Sequence, residues 1–151
     1  MKRILLAAVA AAAVATATFA ATAFGQAPPP SWPPGKVQVF VAGHTLTATD
    51  GQQSNVFTRG STIVFQSYAV DMKTKKVLIP KDVTYYYVTI PGQPNVKLKY
   101  GPNGLWSGTW TVPAAYPLGV VDFRILVKTT AKRHGAFYQA PVSAAQLTIV
   151  Q

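Results

Sequence analysis

Residues 100–128 read YGPNGLWSGTWTVPAAYPLGVVDFRILVK, and the fold follows from how this stretch alternates. In its first half Trp106, Gly108, Trp110 and Val112 share one parity while Leu105, Ser107, Thr109 and Thr111 share the other. A strand turns successive side chains to opposite faces, so both tryptophans are placed in a core. In its second half Val121, Phe123, Ile125 and Val127 alternate with Asp122, Arg124, Leu126 and Lys128, the clearest period-two pattern in the chain. Pro113 to Gly119 is the corner between them. Two successive half-buried strands joined by a Pro/Gly corner predict an antiparallel β-architecture.

Working outward, the same signal recurs on both sides. Lys36 to Ala42 alternates valines and predicts a strand, with His44 to Thr49 extending it past a bulge at Gly43. Ser61 to Val70 is apolar on both parities, as for a strand in the middle of a sheet. Val83 to Ile90 is rich in aromatic and β-branched residues, and Val96 to Tyr100 puts Lys97 and Lys99 on a wet face. The last strand runs from Ala136 to Gln151, broken at Pro141 and resumed at Ala145 to Val150. No helical period and no internal repeat is present. About seven or eight short strands bounded by turns predict an all-β sandwich of the immunoglobulin or fibronectin III kind, with a closed barrel as the alternative.

Two short motifs carry a resemblance. Residues 59–65 (RGSTIVF) followed by Ala69-Val70-Asp71, and Tyr116-Pro117-Leu118-Gly119 before a Val/Phe strand, are similar to bacterial immunoglobulin-like and macroglobulin-type β-sandwich domains. Arg59 stands where those families usually have proline. The resemblance implies a fold and a binding or spacer role, and brings no catalytic residues with it.

The N-terminus has a different composition. Met1-Lys2-Arg3, the Ala-rich run from Ile4 to Phe19 and Ala21-Thr22-Ala23 have the layout of a signal peptide, residues 1–23, with cleavage after Ala23; a cut after Ala27 would leave Pro28 first. The run is short and weakly apolar for a membrane span, so no transmembrane segment is expected after cleavage. Residues 24–35 form a proline-rich linker suited to an extended arm, and residues 36–151 are the sandwich domain. The expected location is periplasmic or secreted.

The chain of 151 residues has 14 Lys and Arg, 4 acidic residues, 2 His and no Cys. Without Lys2 and Arg3, 12 basic residues face four aspartates, a net charge of +8. Such a protein is drawn to acidic surfaces, either an anionic cell-envelope polymer or an acidic protein. Nucleic acid is disfavoured, because the compartment is wrong and the basic residues form no dense run.

Catalysis needs a nucleophile with its base, paired carboxylates or a metal, and the side chains offer little of any. Asp71 and Asp82 flank one loop, where a strand-end cap and a turn residue are the expected roles. His44, His134 and Met72 lack ligand spacing, so no metal or other cofactor is expected. The chain therefore reads as a non-enzymatic binding domain. Two surfaces are candidates. Loops of an antiparallel sandwich alternate between its ends, which gathers Lys73, Lys75, Lys76 and Lys81 with Lys132, Arg133 and His134, beside the Gly101 to Gly104 turn, as an anion-attracting tip. Tyr85 and Tyr87 share an outward parity and form an aromatic face. The alternative is a structural subunit, a homo-oligomer or larger assembly built through the N-terminal arm or an edge strand.

Overall fold

The computed structural model describes residues 38–138 and 146–151. The leader, the proline-rich arm, the beginning of the first strand and the break at Pro141 lie outside the described residues. Gly35–Gln151 is one compact unit, and the described residues form one buried core within it.

The described residues form twelve strand segments and one short 3-10 turn, Pro80–Asp82. The strands are β1 (Val39–Thr47), β2 (Val56–Thr58), β3 (Thr62–Asp71), β4 (Lys76–Val77), β5 (Val83–Thr89), β6 (Val96–Lys97), β7 (Lys99–Tyr100), β8 (Trp106–Thr111), β9 (Gly119–Val120), β10 (Arg124–Thr129), β11 (His134–Tyr138) and β12 (Thr148–Val150). One sheet has the order β1-β3-β8-β7, with β4 extending it beside β3. A second has the order β11-β10-β5-β6. A third, β2-β12-β9, pairs β12 with β2 in parallel and with β9 in antiparallel sense.

The two larger sheets pack face to face, and their inward rows are those that parity selects. Ile63, Phe65 and Ala69 of β3 meet Val88, Ile125 and Val127 of the opposite sheet in one core, all buried. Trp106 and Trp110 are buried too. Phe65 lies 5.1 Å from Phe123 between ring centroids, and Trp106 lies 5.0 Å from Tyr86. The Trp106 indole N–H donates to Leu78 O at 3.1 Å, so its one polar atom is satisfied inside the core. Tyr86 bridges the sheets. The Ser67 hydroxyl gives its proton to Ala42 O at 2.6 Å, so the Tyr86 hydroxyl, 2.5 Å away, donates to Ser67 Oγ.

Several expected strands divide because the chain changes sheet along them. Residues 96–100 leave the second sheet as β6 and join the first as β7, turning at buried Leu98. Residues 119–129 do the same, pairing as β9 with β12 before continuing as β10 in the second sheet. A bulge at Gly43 is not present: β1 pairs with β3 in unbroken register from Val39 to Thr47. The Ile125 side chain of the facing sheet fills the space beside this glycine, where a Cβ would sit 2.3 Å from Ile125 Cδ1. At the edge where β1 and β11 approach, a Cβ on Gly135 would lie 2.6 Å from Val39 O and 2.7 Å from Val39 Cβ. Two sheet edges therefore close on each other through a residue with no side chain.

Arg59 has a structural use of its own. Its Nε donates to Tyr116 O at 2.7 Å, tying the turn before β3 to the Pro113–Gly119 corner. Tyr116 packs edge-on against Trp110, 5.0 Å between centroids, and donates its hydroxyl to Pro91 O at 3.2 Å.

Candidate functional site

The site grows from the end of β3. Asp71 is its last residue and pairs with Lys76 across the hairpin to β4. Its Oδ1 accepts from the backbone N–H groups of Lys73 at 2.9 Å and Thr74 at 3.2 Å, which folds the turn around the carboxylate. Its Oδ2 accepts from Arg133 Nη2, which comes from the β10–β11 turn of the opposite sheet. Burial alone would raise the Asp71 pKa, but the guanidinium and the two backbone donors outweigh it and hold the carboxyl below its ordinary range.

The second loop is shaped to reach this point. Thr129 N–H donates to Arg133 O at 2.8 Å, and Arg133 N–H donates to Thr129 Oγ1 at 3.0 Å. Lys132 closes the turn with φ 61°, and Lys75 does the same in the first loop with φ 59°. Thr130 N–H donates to Asp82 O at 2.9 Å, a second tie between the loops. Asp82 in turn accepts from Ile79 N–H through Oδ2 at 3.4 Å. Both aspartates of the long connection thus organise turns, in the roles that their positions predict.

The structure brings the two basic loops to one end of the domain. The Gly101–Gly104 turn joins β7 to β8 beyond Trp106, which pairs with Ser67 on the way to Asp71, so it lies at this end as well. Lys73, Lys75, Lys76, Lys81 and Lys132 are exposed. Two expected members behave differently. Arg133 is spent on Asp71, so it builds the tip without adding free charge. His134 belongs to β11, opposite Lys128, and burial together with the Lys128 charge lowers its pKa, leaving it neutral at neutral pH. The tip's free positive charge is therefore that of five lysines.

Tyr85 and Tyr87 stand together on the outer face of the second sheet, with ring centroids 5.1 Å apart and planes at 37°. Both are half-buried, Tyr85 opposite Lys128 and Tyr87 between Leu126 and Lys97. Much of each ring is used on the other and on cross-strand neighbours, which limits what either can offer a ligand.

Sequence reasoning missed one feature. β3 lies in the middle of its sheet, between β1 and β8, as its apolar run predicts, but nothing in that reading marked its outer face as open: Tyr68 is 41% exposed, and Phe40 beside it on β1 is 45% exposed. The signal was available in the parity of Phe40, which is opposite to that of Val39 and Val41. Among the described residues no three His, Asp or Glu side chains form a metal-ligand cluster, and no helix is long and apolar enough to cross a membrane. Comparison with known proteins finds no matching family model, no matching curated protein and no matching solved structure.

Proposed function

We propose that this chain is an exported, non-enzymatic binding domain of immunoglobulin-like type, and that its lysine tip takes an anionic polymer or an acidic protein partner. The observation that carries this reading is the Asp71–Arg133 pair. It locks two loops from opposing sheets together and leaves five exposed lysines around a rigid centre. A positioned cluster of this kind attracts anions with little ordering cost. The Tyr85–Tyr87 face is a weaker candidate, since those rings already pack on each other. The leader and proline-rich arm support export to a periplasm or beyond.

The test compares variants of equal net charge. Lys73→Ser/Lys76→Ser/Lys81→Ser removes three tip lysines, and Lys97→Thr/Lys99→Thr/Lys128→Thr removes three elsewhere. With inorganic polyphosphate as the probe, the tip variant is expected to bind about tenfold more weakly than the control variant at moderate salt. Equal weakening in both would leave only a diffuse basic surface, and the reading would fail.

A second reading is supported by the opposite end. Val56 and Val120 on the outer face of β2-β12-β9, and Leu118 just before β9, are at least half exposed. That apolar face favours a structural subunit associating with a second copy or a neighbouring sheet. Size exclusion of the chain across a wide concentration range separates the two: a concentration-independent monomer opposes assembly.

A further inference from the structure

The lysines of the tip border an apolar surface, and the two are continuous along the chain. Phe40 pairs with Val70, and Val70 pairs with Val77, so these three make one cross-strand row on the outer face of β1, β3 and β4. Phe40 is 45% exposed and Val77 48%. The Tyr68 ring stands beside Phe40, with centroids 6.2 Å apart. Met72, also exposed, follows the buried Asp71 and opens the hairpin that carries Lys73, Lys75 and Lys76, and Lys76 leads directly into Val77. Apolar side chains and cations therefore alternate around a single corner.

Among the described residues the carboxylates do not balance these cations: only Asp82 remains at this corner without a counter-ion, beside five exposed lysines. Asp71 is turned inward to Arg133, and Asp82 is held by the Ile79 N–H. Asp122 pairs with Arg124, and Asp50 caps the turn after β1 at the far end of the domain. A soluble polyanion would satisfy the lysines and leave Phe40, Met72 and Val77 in water. An anionic bilayer satisfies both halves, because its headgroups take the ammonium groups while the boundary of its acyl region takes the apolar tips.

We infer that the Asp71–Asp82 corner docks on an anionic lipid surface, with the tip lysines against the headgroups and Phe40, Met72 and Val77 entering the interface. The inference rests on the lysine tip proposed above and adds the apolar half of its partner. Each lysine near such a surface contributes about fivefold in affinity, and salt weakens that contribution.

The experiment is flotation of Gly35–Gln151 with vesicles of equal phosphatidylglycerol and phosphatidylcholine, beside pure phosphatidylcholine vesicles and inorganic polyphosphate. Binding to the mixed vesicles and not to the neutral ones is expected. Phe40→Ser/Val77→Ser should lower vesicle affinity about tenfold and leave polyphosphate affinity unchanged. Should that variant fail to keep the parent's melting midpoint, Met72→Ser on the exposed turn is read in its place, with a smaller loss of vesicle affinity expected and none for polyphosphate. If the apolar variant binds vesicles as well as the parent does while polyphosphate still depends on the tip lysines, the lipid inference fails and the anion-binding reading stands. If the parent binds neither vesicles nor polyphosphate, both fail.

Discussion

Arg133, on the turn of one sheet, donates to the buried carboxylate of Asp71, the last residue of the longest strand in the other. This contact joins the two loops on which the proposed function depends. Replacing Arg133 by Met should destabilise the domain by about 3 kcal/mol, because Asp71 keeps its backbone donors but loses its counter-ion in a buried position. Lys132→Asn, on the same turn and at a positive φ that Asn tolerates, should change stability by less than about 0.5 kcal/mol. Urea denaturation of the two variants checks the contrast. It also follows that a charge-removal test of the tip must spare Arg133.

Acid should expose the same pair. The Asp71 pKa is lowered in the folded state from an ordinary value of 3.8. A depressed carboxylate contributes stability that is fully present above its unfolded pKa and is lost as pH falls through its folded pKa. The stability difference between the parent and Asp71→Asn should therefore be constant above about pH 5 and shrink below the ordinary carboxylate pKa. A difference unchanged down to strongly acid pH would mean that Asp71 is not the linked group.

Ser67→Ala should cost more than Tyr86→Phe. Removing the tyrosine hydroxyl deletes one hydrogen bond, at about 1 kcal/mol, and leaves Ser67 bonded to Ala42 O. Removing the serine hydroxyl strands the Tyr86 hydroxyl in the core without its acceptor, at about 2 kcal/mol. Thermal or urea melts of the two variants give the order directly.

The two glycines at close approaches should differ in tolerance. At Gly43 an added methyl meets the tip of the Ile125 side chain, which can rotate away, so Gly43→Ala should cost about 1 to 2 kcal/mol. At Gly135 it meets the Val39 carbonyl and Cβ, which cannot move without shifting β1, so Gly135→Ala should cost about 3 kcal/mol or more. A Gly135→Ala variant as stable as the parent would mean that the β1–β11 edge is not closed as described.

Which face of each long strand turns inward was legible in the sequence, because period two directly encodes it: Trp106, Trp110, Tyr86 and Phe123 are buried as their parity requires. Where a strand changes sheet was not. Leu98 and Val121 keep their inward parity through the switch, so alternation continues while the hydrogen-bond partners change. The gathering of the basic loops followed from alternating connections. The fate of Arg133 did not, since an arginine in a basic loop reads as surface charge until a buried carboxylate 62 residues away is seen to face it. Gly43 carried the wrong signal for a similar reason: a glycine within a strand reads as a bulge unless the side chain that fills its space, Ile125, is known.

The most direct test of the lysine tip is the titration of isotope-labelled protein with inorganic polyphosphate, followed by backbone amide shifts. The account predicts that the largest changes fall in residues 72–82 and 129–133, and that they fade as salt is raised. Largest changes at Tyr85 and Tyr87, or changes spread evenly over the basic residues of the domain, would contradict it.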